Sequence, residues 1–141
     1  MYKNIYQAYC NLTKGDQAEL KRSNLKNMAN TPAYFRVQKF SGCVDNAQTL
    51  RVLYLLVGLD ISQDSESALS VADALQKAGV KEQAIIQISR SGTNGIEYLK
   101  RQLIRCEHLS LNSVGTLAQY WGDNARRNLL KNFILADNQE S

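Results

Sequence analysis

The chain has little proline, histidine or tryptophan: Pro32, His108 and Trp121 are the sole examples in 141 residues. A single proline leaves nearly the whole chain free to be helical, and strict apolar–polar alternation is scarce, so the pattern points to helices. The three cysteines, Cys10, Cys43 and Cys106, are odd in number and far apart. They imply no disulfide framework and argue for a reducing compartment. The only histidine stands in Cys106-Glu107-His108 with no further residue at metal-ligand spacing, which argues against a metal site. No long apolar run is present either. The most apolar stretch, residues 50–59, is interrupted by Arg51 and reaches about half a membrane span. The opening Met1-Tyr2-Lys3-Asn4-Ile5 lacks the apolar run of a signal peptide, so a cytoplasmic protein with no membrane partner is expected. There is no internal repeat and no low-complexity segment.

What is present is the composition of an ordinary soluble globule, 44% hydrophobic and 21% charged, at a length expected to form one domain over residues 1–141. The formal net charge is +4 and the pI is near 9.0, a balance that favours a polyanionic partner without proving one.

Helical spacing of Ile5, Tyr6, Tyr9 and Leu12 predicts a first amphipathic helix that ends near Gly15. Gly15-Asp16-Gln17-Ala18-Glu19-Leu20-Lys21-Arg22 follows. Asp16 and Glu19 have capping-box spacing, so Asp16 is the predicted cap of a helix reaching about Met28, with Ser23-Asn24 as an early stop. Lys21 and Arg22 sit about 100° apart on it, and an unpaired buried charge is too costly for both to face inward. Thr31-Pro32 is a second start, with Thr31 as cap and Pro32 at the first helical position. That helix carries Arg36 and Lys39 beside Tyr34 and Phe35, aromatics that could stack bases but at this spacing more often belong to a core. Asp45 or Asn46 caps a helix running through Leu50, Val52, Leu53, Tyr54, Leu55, Leu56 and Val57, apolar nearly all round and therefore central.

Residues 60–66 are polar and turn-rich, the best candidate for a mobile surface loop. A helix from Ala68 through Leu75 closes at Gly79 as C′ residue, with Lys77 near the negative end of its dipole. Another covers residues 82–90. The glycine-rich loop Ser89-Arg90-Ser91-Gly92-Thr93-Asn94-Gly95 precedes a helix, yet no strand comes before it and the lysine-serine/threonine ending of a nucleotide loop is missing. Asn94 with Glu97 reads instead as a capping box. Beyond it Ile96, Leu99, Leu103 and Cys106 form an inward stripe, with Arg101 and Arg105 opposite. Asn112 is the predicted cap of a short helix holding Val114, Leu117, Ala118 and Trp121. The last helix starts at Gly122-Asp123, burying Ala125, Leu129, Phe133 and Ala136 and presenting Arg127 and Lys131 one turn apart. Paired like charges on outer faces carry a small repulsive cost that an anionic partner would remove.

Catalytic chemistry is poorly represented. A cysteine nucleophile using His108 as base would need a third, orienting group, and none is visible. No carboxylate cluster reads as a two-metal nuclease site. The expectation is a protein that is not an enzyme and uses no cofactor.

Tyr6-x-x-Tyr9, then Gly15-Asp16-x-Ala18-Glu19-Leu20-Lys21-Arg22, then Thr31-Pro32-Ala33-Tyr34-Phe35-Arg36 form an ordered set. Leu75-x-x-x-Gly79, Ile88-x-Arg90, Leu99-Lys100-Arg101-Gln102-Leu103 and Tyr120-Trp121-Gly122 continue it, and Arg126-Arg127-x-Leu129-Leu130-x-x-Phe133 completes it. The set resembles the small subunit of the type I-E CRISPR Cascade complex, the CasB family, over nearly the whole chain. Departures are Tyr9 where a first-helix tryptophan is usual, Ser23 after the basic pair, and the short loop at residues 60–66. The resemblance implies an all-α, compact single-domain bundle of about seven to eight helices with no nuclease of its own. It implies a pair of copies in a crRNA-guided surveillance complex, with the crRNA-backbone subunits and the large subunit as neighbours. The nucleic-acid partners would be crRNA and single-stranded and R-loop target DNA. Under it, Lys21, Arg22, Arg36, Lys39, Arg90, Lys100, Arg101, Arg105, Arg127 and Lys131 are the candidate backbone-binding residues, with Arg22, Arg36 and Arg101 foremost. A stand-alone helical DNA-binding regulator and a purely structural protein adaptor are the alternatives.

Overall fold

Polar side chains set six of the helix starts in the computed structural model, which describes residues 1–64 and 66–137, each accepting a bond from a backbone N–H. Thr31 Oγ1 accepts from Tyr34 N at 3.1 Å with Pro32 at the first helical position, and Asn46 Oδ1 accepts from Thr49 N at 2.8 Å, both at predicted starts. Other starts differ from expectation. The second helix is capped by Thr13, whose Oγ1 accepts from Asp16 N, so Asp16 lies in the first turn and forms no capping box with Glu19. Ser110, not Asn112, caps the helix before Trp121. Asn94 makes no cap bond, because a 3-10 turn over Gly92–Asn94 leads straight into the next helix.

The elements are α1 (Tyr2–Cys10), α2 (Lys14–Arg22), α3 (Leu25–Met28), α4 (Pro32–Ser41) and α5 (Ala47–Leu56), then β1 (Ile61–Ser62), α6 (Val71–Lys77), α7 (Glu82–Arg90) and α8 (Gly95–Leu103), and finally β2 (Leu109–Ser110), α9 (Leu111–Gln119) and α10 (Asp123–Asp137). The fold is all-α, as expected, with ten α-helices among the described residues rather than seven to eight. One source of the difference is Ser23-Asn24. Ser23 Oγ donates to the Glu19 carbonyl and Asn24 Oδ1 accepts from Asn27 N, so the chain stops one helix and starts the one-turn α3 within two residues.

α5 is the central element: Val52, Leu53, Leu55 and Leu56 are at most 1% exposed, and α9, α1 and α3 pack around it. α4 lies on α1 and α2. α10 packs against α6 and α7, and α7 against α8. The buried residues of both groups form one continuous hydrophobic cluster, to which the predicted stripe contributes Ile96, Leu99 and Leu103 on α8 and Cys106 just beyond it.

The start of the 60–66 segment, expected as a mobile loop, is held by backbone bonds instead, and Leu69, expected in a helix from Ala68, lies before α6 and bridges to Leu109. β1 pairs in parallel with β2, Ile61 opposite Leu109 and Ser62 opposite Ser110. Leu109 N donates to the Asp60 carbonyl at 3.0 Å, and Leu69 N to the His108 carbonyl at 2.7 Å. His108 N also donates to the Asp60 carboxylate, and His108 takes a φ of 57° to do so.

Gly79, at φ 78°, ends α6 as the predicted C′ residue. Gly95 is required for a different reason. A Cβ there would stand 2.5 Å from the Ile88 carbonyl oxygen, which is backbone of the packed helix α7 and cannot rotate away. Gly95→Ala is therefore expected to cost about 2 kcal/mol, the scale of a forced backbone shift in a close-packed site. Urea denaturation checks it; a midpoint unchanged from wild type would show that α7 and α8 part without strain.

Candidate nucleic-acid interface

Four of the predicted cations stand on α2 and α4, which pack together. Lys21 and Arg22 occupy the last turn of α2, where the negative end of the helix dipole favours them, and both are exposed. The stem of Lys21 passes over the chain reversal after α5, 3.8 Å from the position a Cβ on Gly58 would take. Arg22 points into solvent. Arg36 is held: its Nη1 donates to both carboxylate oxygens of Asp16 at 2.8 Å, joining α4 to the first turn of α2. With the Arg36 side chain half exposed, this pair contributes about 1 kcal/mol or less to stability. A phosphate approaching Arg36 would have to compete with Asp16 for the guanidinium. Lys39 is exposed in the last turn of α4.

A second set comes from α7, α8 and α10, joined because α7 packs against both of the others. Arg90 is exposed at the end of α7, beside Lys81 and Gln87 along a shallow cleft. Arg101 lies on the outer face of α8 with its guanidinium 5.5 Å from the Tyr98 ring centre, a stacking that steadies the side chain in solvent. Arg105 Nη1 donates to Gln102 Oε1 at 3.0 Å and borders a small cleft with Lys77 and His108. Arg127 and Lys131 are exposed on α10 and opposite its buried Leu129 and Phe133, as the periodicity predicts.

Lys100 corrects the sequence reading. It is only 8% exposed; its Nζ donates to the Tyr54 carbonyl at the end of α5 and lies 4.2 Å from the Tyr54 ring centre. The aliphatic stem fills the space between α8 and α5 while the ammonium satisfies a last-turn carbonyl of α5. Burial lowers its pKa to about 8. It belongs to the core and not to a surface presented to a partner.

Two cations that periodicity does not single out are also structural. Arg126 is buried, paired with Asp123 and stacked 5.6 Å from the Trp121 ring centre. Arg51 reaches across to the carbonyls of Ala118 and Gln119 at the end of α9, at 3.1 and 3.2 Å, and burial lowers its pKa. A helix end without its own cap is the only signal that could have found Arg51, and that signal lies 67 residues away. Lys77, Lys81 and His108 join the exposed basic residues through the clefts they share with Arg105 and Arg90.

The Cys106-His108 pairing has no activated thiol. Cys106 is buried with its thiol directed at the Gln102 carbonyl, and burial raises its pKa, the reverse of a reactive cysteine. Among the described residues no group of three or more His, Cys, Asp or Glu is placed to hold a metal ion. No helix among them is long and apolar enough to cross a membrane.

No family model and no curated protein matches the sequence. Among solved structures, the chain is similar to one chain in the crystal structure of E. coli Cascade bound to a PAM-containing dsDNA target. The identity is 23%, with 94% of this chain and 95% of that chain covered and a TM-score of 0.80. At that identity the likeness establishes a shared fold, over nearly the full length of both chains.

Proposed function

We propose that this chain is a non-catalytic small subunit, of the CasB family, in a cytoplasmic type I-E Cascade surveillance complex. The observation that supports the reading is the shared fold, an end-to-end match to a chain of E. coli Cascade. Its role is to bind nucleic-acid backbone without sequence preference, steadying the displaced strand and the guide–target duplex as the R-loop forms. Exchange of a DNA duplex for a heteroduplex is close to balanced, so a few backbone contacts tip it. The exposed cations of the α2–α4 and α7–α8–α10 sets suit that role, being point charges and forks held on or beside helices. Partner surfaces would be the crRNA-backbone subunits, the large subunit and a second copy of this chain.

The test is R-loop formation by the complex of its own genome, assembled with and without this chain and followed by permanganate reactivity of the displaced strand. Omission is expected to lower the R-loop yield equally for unrelated target sequences. The isolated chain should bind oligo(dT) with log K falling linearly in log salt, by about 0.7 per phosphate contact. A preference for one duplex sequence, or an affinity indifferent to salt, would instead favour a regulator or an adaptor.

A further inference from the structure

α10 carries asparagine at positions 124, 128 and 132, one every four residues. Asparagine is a weak helix former because its amide competes for backbone hydrogen bonds, and a local conflict of this kind is expected where a surface serves a purpose. All three side chains are exposed. The side-chain hydrogen bonds of α10 among the described residues join Arg126 to Asp123 and Gln76 to the Phe133 carbonyl, and leave the three amides free. The asparagines form one wall of a cleft of about 540 Å³ whose opposite wall holds Thr116 and Tyr120, at the end of α9 and just beyond it. Leu117 and Leu129 supply apolar floor, and no charged side chain lines the cleft.

We propose that this cleft binds an extended segment of a protein partner and that the three asparagine amides read its backbone. Residues four apart on a helix are about 6.0 Å apart along the axis. In an extended chain alternate residues are about 6.6 Å apart, and each turns its N–H and C=O toward the same edge. An asparagine amide offers two donors and an acceptor, so each rung can donate to the C=O and accept from the N–H of one such residue. The mismatch over three rungs is about 1.2 Å, within the reach of two side-chain torsions. A nucleic-acid strand fits the lining less well, since it brings a charge with each nucleotide. Arg127 and Lys131 stand about 80° further round α10, so they flank the cleft rather than line it. The inference is independent of the nucleic-acid reading.

The test uses phage-displayed random linear peptides selected on the full chain, then synthesised and measured against wild type and an N124A/N128A/N132A variant. Removing three backbone contacts is expected to weaken binding about 100-fold. The variant itself should melt a few degrees higher, because alanine is the better helix former at exposed positions, so loss of folding cannot imitate the result. A readout on the ligand side removes any remaining dependence on the variant. N-methylation of alternate peptide amides should abolish binding, and N-methylation of the intervening ones should not. Peptides that bind the variant as tightly as wild type, tolerance of N-methylation at every position, or no enrichment at all would overturn the proposal. So would oligo(dT), rather than a peptide, shifting the NMR signals of the three asparagine amides.

Discussion

Replacing Arg22 and Arg101 together by glutamate is expected to weaken oligo(dT) binding by the isolated chain ~100–1000-fold at low salt and to suppress R-loop formation by the assembled complex. Each reversal removes an attraction of about 1 kcal/mol and substitutes a repulsion of similar size, and a factor of ten corresponds to about 1.4 kcal/mol. The two residues are the suitable pair because neither is committed elsewhere. Arg22 is exposed at the end of α2, and Arg101 is exposed on α8 with only the Tyr98 ring beside it. Both stand in a last helical turn, so glutamate there meets the negative end of the dipole and costs under about 1 kcal/mol each, too little to unfold the chain. The salt dependence separates contact from field. Arg22→Gln with Arg101→Gln should lower the slope by about 1.4, two contacts at 0.7 each, and the glutamates should add repulsion that fades as salt screens it. Circular dichroism must show the wild-type helix content. A double reversal that folds normally and binds unchanged would remove the α2 and α8 cations from the interface.

Arg36 has a different standing from the one its motif implies, and the cause is one carboxylate. In the sequence Asp16 reads as a cap and Arg36 as a free cation twenty residues on. In the fold Thr13 takes the cap, which leaves the Asp16 carboxylate free to receive Arg36 in a two-oxygen fork. Capping was legible as a class, since serine, threonine or asparagine caps α2, α3, α4, α5, α6 and α9; which of two nearby candidates takes the role depends on the turn preceding it. The outward stripes were legible for the same local reason. Arg101, Arg105, Arg127 and Lys131 lie opposite residues that periodicity marks as core, and they are exposed. What local pattern could not supply are the long connections. Residues 60–66 look like a loop until Asp60, Ile61 and Ser62 meet residues 108–110, more than 40 positions on, and Arg51 has no visible purpose until it finds the end of α9. Both satisfy backbone groups by partners chosen in three dimensions, where single-sequence periodicity carries no information.

Lys100 shows how a long amphipathic side chain defeats the same periodicity, and it yields the second large prediction. Next to Arg101 and one residue after Leu99, it sits at the border between the buried and exposed faces of α8, and burial was settled by an unfilled carbonyl on α5. Its pKa falls from 10.5 to about 8 because burial disfavours the charged form, a gap equivalent to about 3 kcal/mol. The sign follows from proton counting. Between pH 8 and 10.5 the unfolded chain holds a proton on this lysine that the folded chain has released, so its contribution to stability rises with pH across that window and is least favourable below it. Lys100→Met keeps the stem and removes the charge, at the cost of about 1 kcal/mol for the Tyr54 carbonyl left without its donor. The variant should therefore be more stable than wild type by about 2 kcal/mol at pH 7, and the advantage should vanish near pH 10. Cys106 and Tyr9, whose raised pKa values make the fold lose stability as pH climbs, titrate alike in both proteins and cancel in the difference. Urea denaturation at pH 7, 8, 9 and 10 gives the two curves. Curves that run parallel would show that the ammonium is solvated in the folded chain. The same variant should bind oligo(dT) with an unchanged salt slope, because a cation turned toward α5 makes no phosphate contact, and a slope lowered by about 0.7 would return Lys100 to the interface.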